Sequence, residues 1–223
     1  MQPTPVVAPA IIVHQSPPQY QARDFRHDPV LATEEKYCFQ TKTKLKVHDK
    51  ILSSTLKFLD ETSGKSIIKC EGKVFSLTDK KVLKDSEDGQ VICTIKKELK
   101  TLAGIYKIYN KGNKEICKIS EERTACKAKF TGHFTDAGNR HPERKILVKA
   151  NLERKHCCIY LQEESYIVMA NMEKVPHKVA NSPIGEDEYL IEIEAGVDAA
   201  LILALCVVVM NENAAFNMPR LAV

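Results

Sequence analysis

From Val197 to Met210 every residue is apolar except Asp198. Such a stretch can sit in a bilayer, in a cleavable leader, or inside a protein. As an α-helix it would rise about 21 Å, at about 1.5 Å per residue. A bilayer core is about 30 Å thick and calls for about 20 apolar residues, so the run is too short to span one. Glu192 and Glu194 precede it, Asn211 and Glu212 follow it, and no Lys or Arg anchors either end. A helix that is apolar all round and does not cross a membrane belongs in the middle of a fold. Gly196 ends the segment before it, and Asp198 falls in the first turn, where a carboxylate favours the positive end of the helix dipole. Val197, Leu201, Ala204, Leu205 and Val208 are the expected core positions of this helix. The β-branched Val207-Val208-Val209 also suits a strand, and propensity alone does not exclude that.

Before this run, from Lys36 onward, the chain reads as short alternating segments, among them T-K-T-K-L-K-V, S-T-L-K-F-L, K-V-F-S-L, V-I-C-T-I-K-K and R-K-I-L-V-K-A. A period of two is that of a half-buried strand. Turn signals separate the segments at Asp60-Glu61-Thr62-Ser63-Gly64, Glu87-Asp88-Gly89 and Lys111-Gly112-Asn113. About twelve strands at this spacing predict a sandwich or a barrel. The expected class is mainly β, with one apolar C-terminal helix.

Residues 1–33 differ in kind. They hold six of the ten prolines, carry few bulky residues, and read as a disordered or extended tail. Within them Pro17, Pro18 and Tyr20 spell P-P-x-Y, the form of a WW-domain ligand, and a WW-domain protein is the partner this motif implies. Residues 34–213 are the expected folded domain, and residues 214–223 a short second tail.

Charge is divided unevenly. Residues 40–130 hold 21 Lys and Arg against 12 Asp and Glu, whereas residues 131–213 hold 8 against 13. Lys42, Lys44 and Lys46 share one face of a strand by the period of two, as do Lys127 and Lys129. Rows of ammonium groups can engage an anionic phospholipid surface at about 1 kcal/mol per basic residue. They also keep an outer wall soluble and discourage edge pairing. Aromatic residues are not interleaved with these lysines as a nucleic-acid stacking platform requires, so nucleic acid is not an expected partner.

Eight cysteines are present and none forms a C-x-x-C pair, so no zinc or redox motif is read from them. Cys157 and Cys158 are adjacent and point to opposite faces of a strand, so they do not readily share one ion. The N-terminus, MQPTPVVAPA, lacks the basic start and apolar run of a leader, which points to a cytoplasmic chain with reduced thiols. No G-x-S-x-G, P-loop, H-E-x-x-H or dinucleotide fingerprint occurs. No catalytic residue, metal ligand or cofactor is assigned, and the chain is not expected to be an enzyme.

Many short strands followed by one wholly apolar helix resemble the tubby C-terminal-like architecture, a closed barrel of about twelve strands threaded by a hydrophobic helix. Within it the chain is similar to the LURP-one-related family. The run Glu194-Ala195-Gly196-Val197-Asp198-Ala199-Ala200-Leu201-Ile202-Leu203-Ala204-Leu205 resembles that family's closing G-V-D-x-A-L-I-x-A-L. T-L-K-F-L-D-E-T-S-G-K-S-I-I-K-C-E-G resembles its opening hairpin, and V-L-K-D-S-E-D-G-Q-V-I-C-T-I-K-K its next. The likeness covers roughly residues 36–212. Trp is absent, unlike in many members, and Thr131–Glu143 is a weak match. The resemblance implies a non-enzymatic barrel acting as an adaptor or as a peripheral binder of phosphoinositides or other anionic lipids, located in the cytoplasm or at the membrane surface. A phospholipid scramblase-like, membrane-associated protein is the alternative. Glu186-Asp187-Glu188 lacks the alternating Asp and the Gly of a calcium loop.

Overall fold

In the computed structural model the alternating segments become strands that close on themselves. The structure describes residues 20–21, 23–50, 55–72, 80–98, 104–124, 126–138, 142–176 and 186–217. Pro17, Pro18 and the predicted strand K-V-F-S-L lie outside these residues.

The strands are β1 (Tyr20–Gln21), β2 (Thr43–Lys50), β3 (Thr55–Asp60), β4 (Ser66–Glu71), β5 (Lys80–Asp85), β6 (Val91–Glu98) and β7 (Ile105–Asn110). They continue as β8 (Glu115–Arg123), β9 (Lys127–Phe134), β10 (Arg144–Asn151), β11 (His156–Gln162), β12 (Tyr166–Lys174) and β13 (Glu186–Ile193). From β2 to β13 each strand pairs antiparallel with the next, and β13 pairs back onto β2. The twelve strands therefore form a closed antiparallel barrel. Closure satisfies the backbone groups that an open sheet would leave at its edges. Along each strand the alternate residues are buried, as in β3, where Leu56 and Phe58 are inside and Lys57 is outside.

Among the described residues the one α-helix, α1 (Ala199–Asn217), lies within the wall. Every residue from Ala199 to Val209 is at most 1 % exposed. Val197, Leu201, Ala204, Leu205 and Val208 are all buried, as the apolar pattern requires. The Val207-Val208-Val209 segment is helical, not a strand. In this lumen β-strand propensity loses to burial, because the closed wall leaves no strand edge to extend.

Three boundaries differ from the sequence expectation. Asp198 is not in the first turn but caps it from outside, and the helix begins at Ala199. The helix also runs seven residues past Met210, to Asn217, so a tail starting at residue 214 is cut too early. The folded unit does not begin at residue 34 either. Phe25 and Val30 are fully buried, and Ala32 nearly so. Composition hid this segment because its large apolar side chains are few, and Phe25 and Val30 are buried against the rest of the core only in the folded chain.

Candidate functional site

The segment of residues 23–39 closes the barrel end at which the helix starts. Val30 N donates to Gly196 O at 3.0 Å, Asp198 N donates to Val30 O at 2.9 Å, and Gly196 N donates to Phe39 O at 2.8 Å. Gly196 has φ +78, and a Cβ there would sit 2.4 Å from the Phe25 carbonyl carbon. Only glycine combines that conformation with so close a backbone approach.

Asp198 is fully buried and holds five donors. Oδ1 accepts from the amides of Ala200 at 2.9 Å and Leu201 at 3.1 Å, which caps the helix. Oδ2 accepts from the amides of Ala32 at 2.9 Å and Thr33 at 2.6 Å, and from Thr33 Oγ1 at 2.8 Å. Burial pushes its pKa above the usual carboxylate range, while these donors pull against that rise.

Near the other end of the helix, buried Glu212 accepts from Lys97 Nζ at 2.8 Å, from the Tyr106 hydroxyl and from the Arg123 guanidinium. Burial alone would raise its pKa, but Lys97, Tyr106 and Arg123 outweigh burial and hold it below the usual range. Lys81 Nζ donates to Asn211 Oδ1 at 2.8 Å on the same side. Both ends of the apolar helix are thus tied to wall or strap by charged groups.

The lysines read as lipid contacts stand on the outer wall. Lys44 and Lys46 alternate with buried Leu45 and Val47 on β2, and Lys42 just precedes that strand. Lys127 and Lys129 flank buried Ala128 on β9. The two rows do not meet. Around the closed wall β2 and β9 are separated through β13, β12, β11 and β10 on one side and through β3 to β8 on the other. A flat membrane can therefore touch one row at a time.

The β2 row is also matched by carboxylates. Lys42 lies 2.9 Å from Glu194 and 3.2 Å from Glu192, Lys44 lies 2.7 Å from Glu192, and Lys46 lies 3.4 Å from Glu61. Glu194 chiefly raises the Lys42 pKa and Glu192 that of Lys44. On β9, Lys129 lies 3.0 Å from Glu122.

One cleft brings together basic groups from two segments and an acidic group from a third. It has a volume of about 490 Å³ and is lined by Arg23, Arg26, Lys42, Asp24, Glu194 and Gln40, among others. Sequence reading missed Arg23 and Arg26, because the strap that carries them was assigned to the tail. A second cluster was missed for a related reason. Arg144, 4 % exposed, meets Glu163 at 2.8 Å, Asp136 at 3.3 Å and Asp28 at 3.4 Å. Arg23 completes it through Asp28 and Glu163, each at 2.8 Å. Asp28 and Arg23 lie on the strap, so only the fold brings these five together.

Cys157 is buried in the interior, whereas Cys158 is half-buried, with its sulfur 3.6 Å from His156 Nε2. A hydrogen bond with the Cys206 thiol of the helix, together with burial, pushes the Cys157 pKa well up. All eight cysteines are free thiols. Burial likewise raises the interior Cys93, and raises Cys117 to about 12, which keeps them in the unreactive thiol form.

Tyr20 of the P-P-x-Y motif is fixed at backbone level: β1 pairs parallel with β12, Tyr20 beside Tyr166 and Gln21 beside Ile167.

A closed twelve-strand barrel with a capped, wholly buried apolar helix in its lumen defines the class. Residues 43–210 match the family described as LURP-one-related, and the chain belongs to that family. Protein LURP-one-related 15 of Arabidopsis thaliana is 23 % identical over 193 residues, spanning 82 % of this chain and 86 % of that protein. A crystal structure of an Arabidopsis thaliana protein superposes with a TM-score of 0.58 at 20 % identity, covering 82 % of this chain and 99 % of that one. That likeness is one of fold.

Proposed function

We propose that this chain is a non-enzymatic adaptor whose outer wall and N-terminal segment make the contacts, while its interior does not bind a ligand. The observation that carries this reading is the filled lumen: the helix occupies the barrel axis with every residue from Ala199 to Val209 sealed. Packing of that density leaves recognition to surface groups. Tyr20, the last residue of the P-P-x-Y motif, is paired at backbone level to β12. A rigid scaffold that presents a proline-rich peptide suits recruitment of a WW-domain protein. Capture of the full chain by an isolated WW domain, lost in Tyr20→Ala, is the expected result. Capture unchanged by Tyr20→Ala removes this route.

A second reading is peripheral binding of anionic phospholipid headgroups in the cytoplasm. What supports it is the row of Lys42, Lys44 and Lys46 at the outer face of β2, with Lys42 reaching a cleft that also holds Arg23 and Arg26. Replacing Lys42, Lys44 and Lys46 by Glu is expected to reduce sedimentation with phosphoinositide-containing vesicles. The same change at Lys127 and Lys129 is expected to do little, since that row faces away. Equal loss from both would point to diffuse charge and not to a site.

The scramblase-like alternative would use the C-terminal helix as an anchor. No helix among the described residues is long and apolar enough to cross a membrane. Alkaline carbonate extraction separates this alternative from the other two: an integral anchor stays with the membrane, and an enclosed helix is released with the barrel.

A further inference from the structure

On the half of the wall from β5 to β10 the strand register stacks basic residues side by side. Lys80 on β5 is abreast of Lys96 on β6, Lys96 of Lys107 on β7, and Lys107 of Lys118 on β8. Lys118 is then abreast of His133 on β9, and His133 of Lys145 on β10. Their sequence neighbours Ile95, Tyr106, Ile119, Phe134 and Ile146 are buried, so the row faces outward. Lys80, His133 and Lys145 are exposed, and Lys96, Lys107 and Lys118 are half-buried. A shorter run of Lys57, Lys69 and Lys84 extends the basic face across β3 and β4.

Like charges directly abreast destabilise a sheet, and opposite charges stabilise it. The same wall uses the favourable arrangement at other places: Lys44 on β2 is abreast of Glu192 on β13, and Lys129 on β9 of Glu122 on β8. Counter-charge along the long row is partial. Lys107 lies 2.6 Å from Glu98 and 3.5 Å from Glu115, and His133 lies 3.5 Å from Glu143. Lys80, Lys118 and Lys145 form no ion pair among the described residues. Five ammonium groups and an imidazole in one line, three of them without a carboxylate, suit an anion supplied from outside.

The shape of the row selects among anions. β5 to β10 are six of the twelve barrel strands, so the row winds around half of the wall. A flat bilayer meets only a few neighbouring strands of so convex a surface at once. The row contains no Arg, and Lys96 Nζ stands 4.5 Å over the Tyr109 ring, so the near face of that ring is not open to a base as a nucleic-acid platform requires. A flexible acidic polypeptide can follow the curve. Five steps between strands of about 4.8 Å make a path of about 24 Å, which an extended segment of about seven residues covers at about 3.3 Å per residue.

We propose that the row from Lys80 to Lys145 is a docking surface for an extended segment of a partner protein rich in Asp and Glu. The lysines pair with successive carboxylates of that segment, and the repulsion between them is relieved when it binds. This names a partner class for the outer wall and rests on the adaptor reading for its use, but the binding is measured without a WW domain, so either can fail alone.

The test uses the full chain and a fluorescent decaglutamate peptide, with binding read by anisotropy at about 0.05 M and about 0.15 M salt. Binding at the lower salt that weakens at the higher is expected. Lys96→Glu combined with Lys118→Glu is expected to weaken it about tenfold or more. Lys65→Glu combined with Arg154→Glu makes the same change in net charge at two exposed residues in connections off the row, and is expected to leave affinity within about twofold at the higher salt. Lys80→Glu combined with Lys145→Glu, at the exposed ends of the row, serves if circular dichroism shows that the first pair does not fold. No binding at the lower salt overturns the proposal. Equal loss from the row pair and the control pair overturns it too, since that marks diffuse charge. Tighter binding of an oligothymidylate of equal charge, or of phosphatidylserine vesicles, lost in the row pair, overturns the choice of an acidic peptide in favour of nucleic acid or membrane.

Discussion

Asp198 Oδ2 accepts the backbone amide of Thr33 at 2.6 Å, a contact between residues 165 apart in sequence. The same carboxylate caps the central helix through Ala200 and Leu201. One side chain thus joins the strap that seals the barrel to the helix that fills it. Asp198→Ala leaves buried amides without acceptors, at about 1–3 kcal/mol for each group left unsatisfied. Asp198→Asn keeps one acceptor but turns an NH₂ toward amides that also donate, so it is expected to be little better. Urea denaturation of the three proteins checks both statements.

The strap is part of the fold. Removing residues 1–19 is expected to leave the melting temperature within a few degrees of the full chain. Removing residues 1–33 strips Phe25, Val30 and the Thr33 donors from the barrel end. Burial of one large side chain is worth about 1.5–3 kcal/mol, against a whole-domain stability of about 5–15 kcal/mol. The shorter chain is expected to be insoluble. A soluble, cooperatively melting chain of residues 34–223 would contradict the place assigned to Phe25.

Gly196→Ala meets two obstacles, a left-handed φ and a Cβ 2.4 Å from the Phe25 carbonyl carbon. The backbone conformation alone costs about 1–3 kcal/mol, and the clash must displace the strap as well. A drop in the denaturation midpoint, with faster proteolysis between residues 23 and 33, is the expected signature. Gly64 also has a positive φ, but no atom lies within 4 Å of its Cβ position, so Gly64→Ala is expected to cost less.

Leu201→Asp and Leu205→Asp each put a carboxylate into the sealed apolar core, at several kcal/mol per buried ion. Insoluble expression is the expected outcome for both. Leu205→Ala only opens a cavity, at about 2–5 kcal/mol, and is expected to fold with a lower midpoint.

Acid should destabilise the barrel through Glu212 and Asp85. Burial alone would raise Asp85, but Lys36 and Tyr37, each at 2.8 Å, and the Glu87 amide hold it at about 2 instead of 3.8. Glu212 is likewise held below its ordinary 4.5. A carboxylate with a lowered folded pKa stabilises fully above its unfolded pKa, and that contribution is lost as pH falls through the folded value. The loss is therefore expected to begin below about pH 4.5 and to continue toward about pH 2. Asp198, whose pKa is raised, works in the opposite sense and gains stability on protonation. Urea midpoints from pH 7 to pH 3 are expected to fall, and to fall less in Glu212→Gln, whose side chain does not ionise.

The apolar run from Val197 to Met210 announced a buried helix because no other environment fits its length and flanks. Period-two alternation announced the strands, since a half-buried strand repeats every two residues whatever surrounds it. Leu45 and Val47 inside with Lys44 and Lys46 outside follow directly from that rule. Local pattern also located Asp198 at the head of the helix, but not its second role, because the Thr33 amide it accepts lies on a distant segment. The strap was illegible for the same reason. Phe25 and Val30 are anchors only when a barrel end stands above them, and composition averages such isolated side chains away. The separation of the Lys42–Lys46 row from the Lys127–Lys129 row was equally out of reach. Alternation tells which face of its own strand a residue occupies, but the bearing of that face is set by how many strands complete the circle. Closure is a property of all twelve together, so it decided which charges meet, and no single stretch of the chain could.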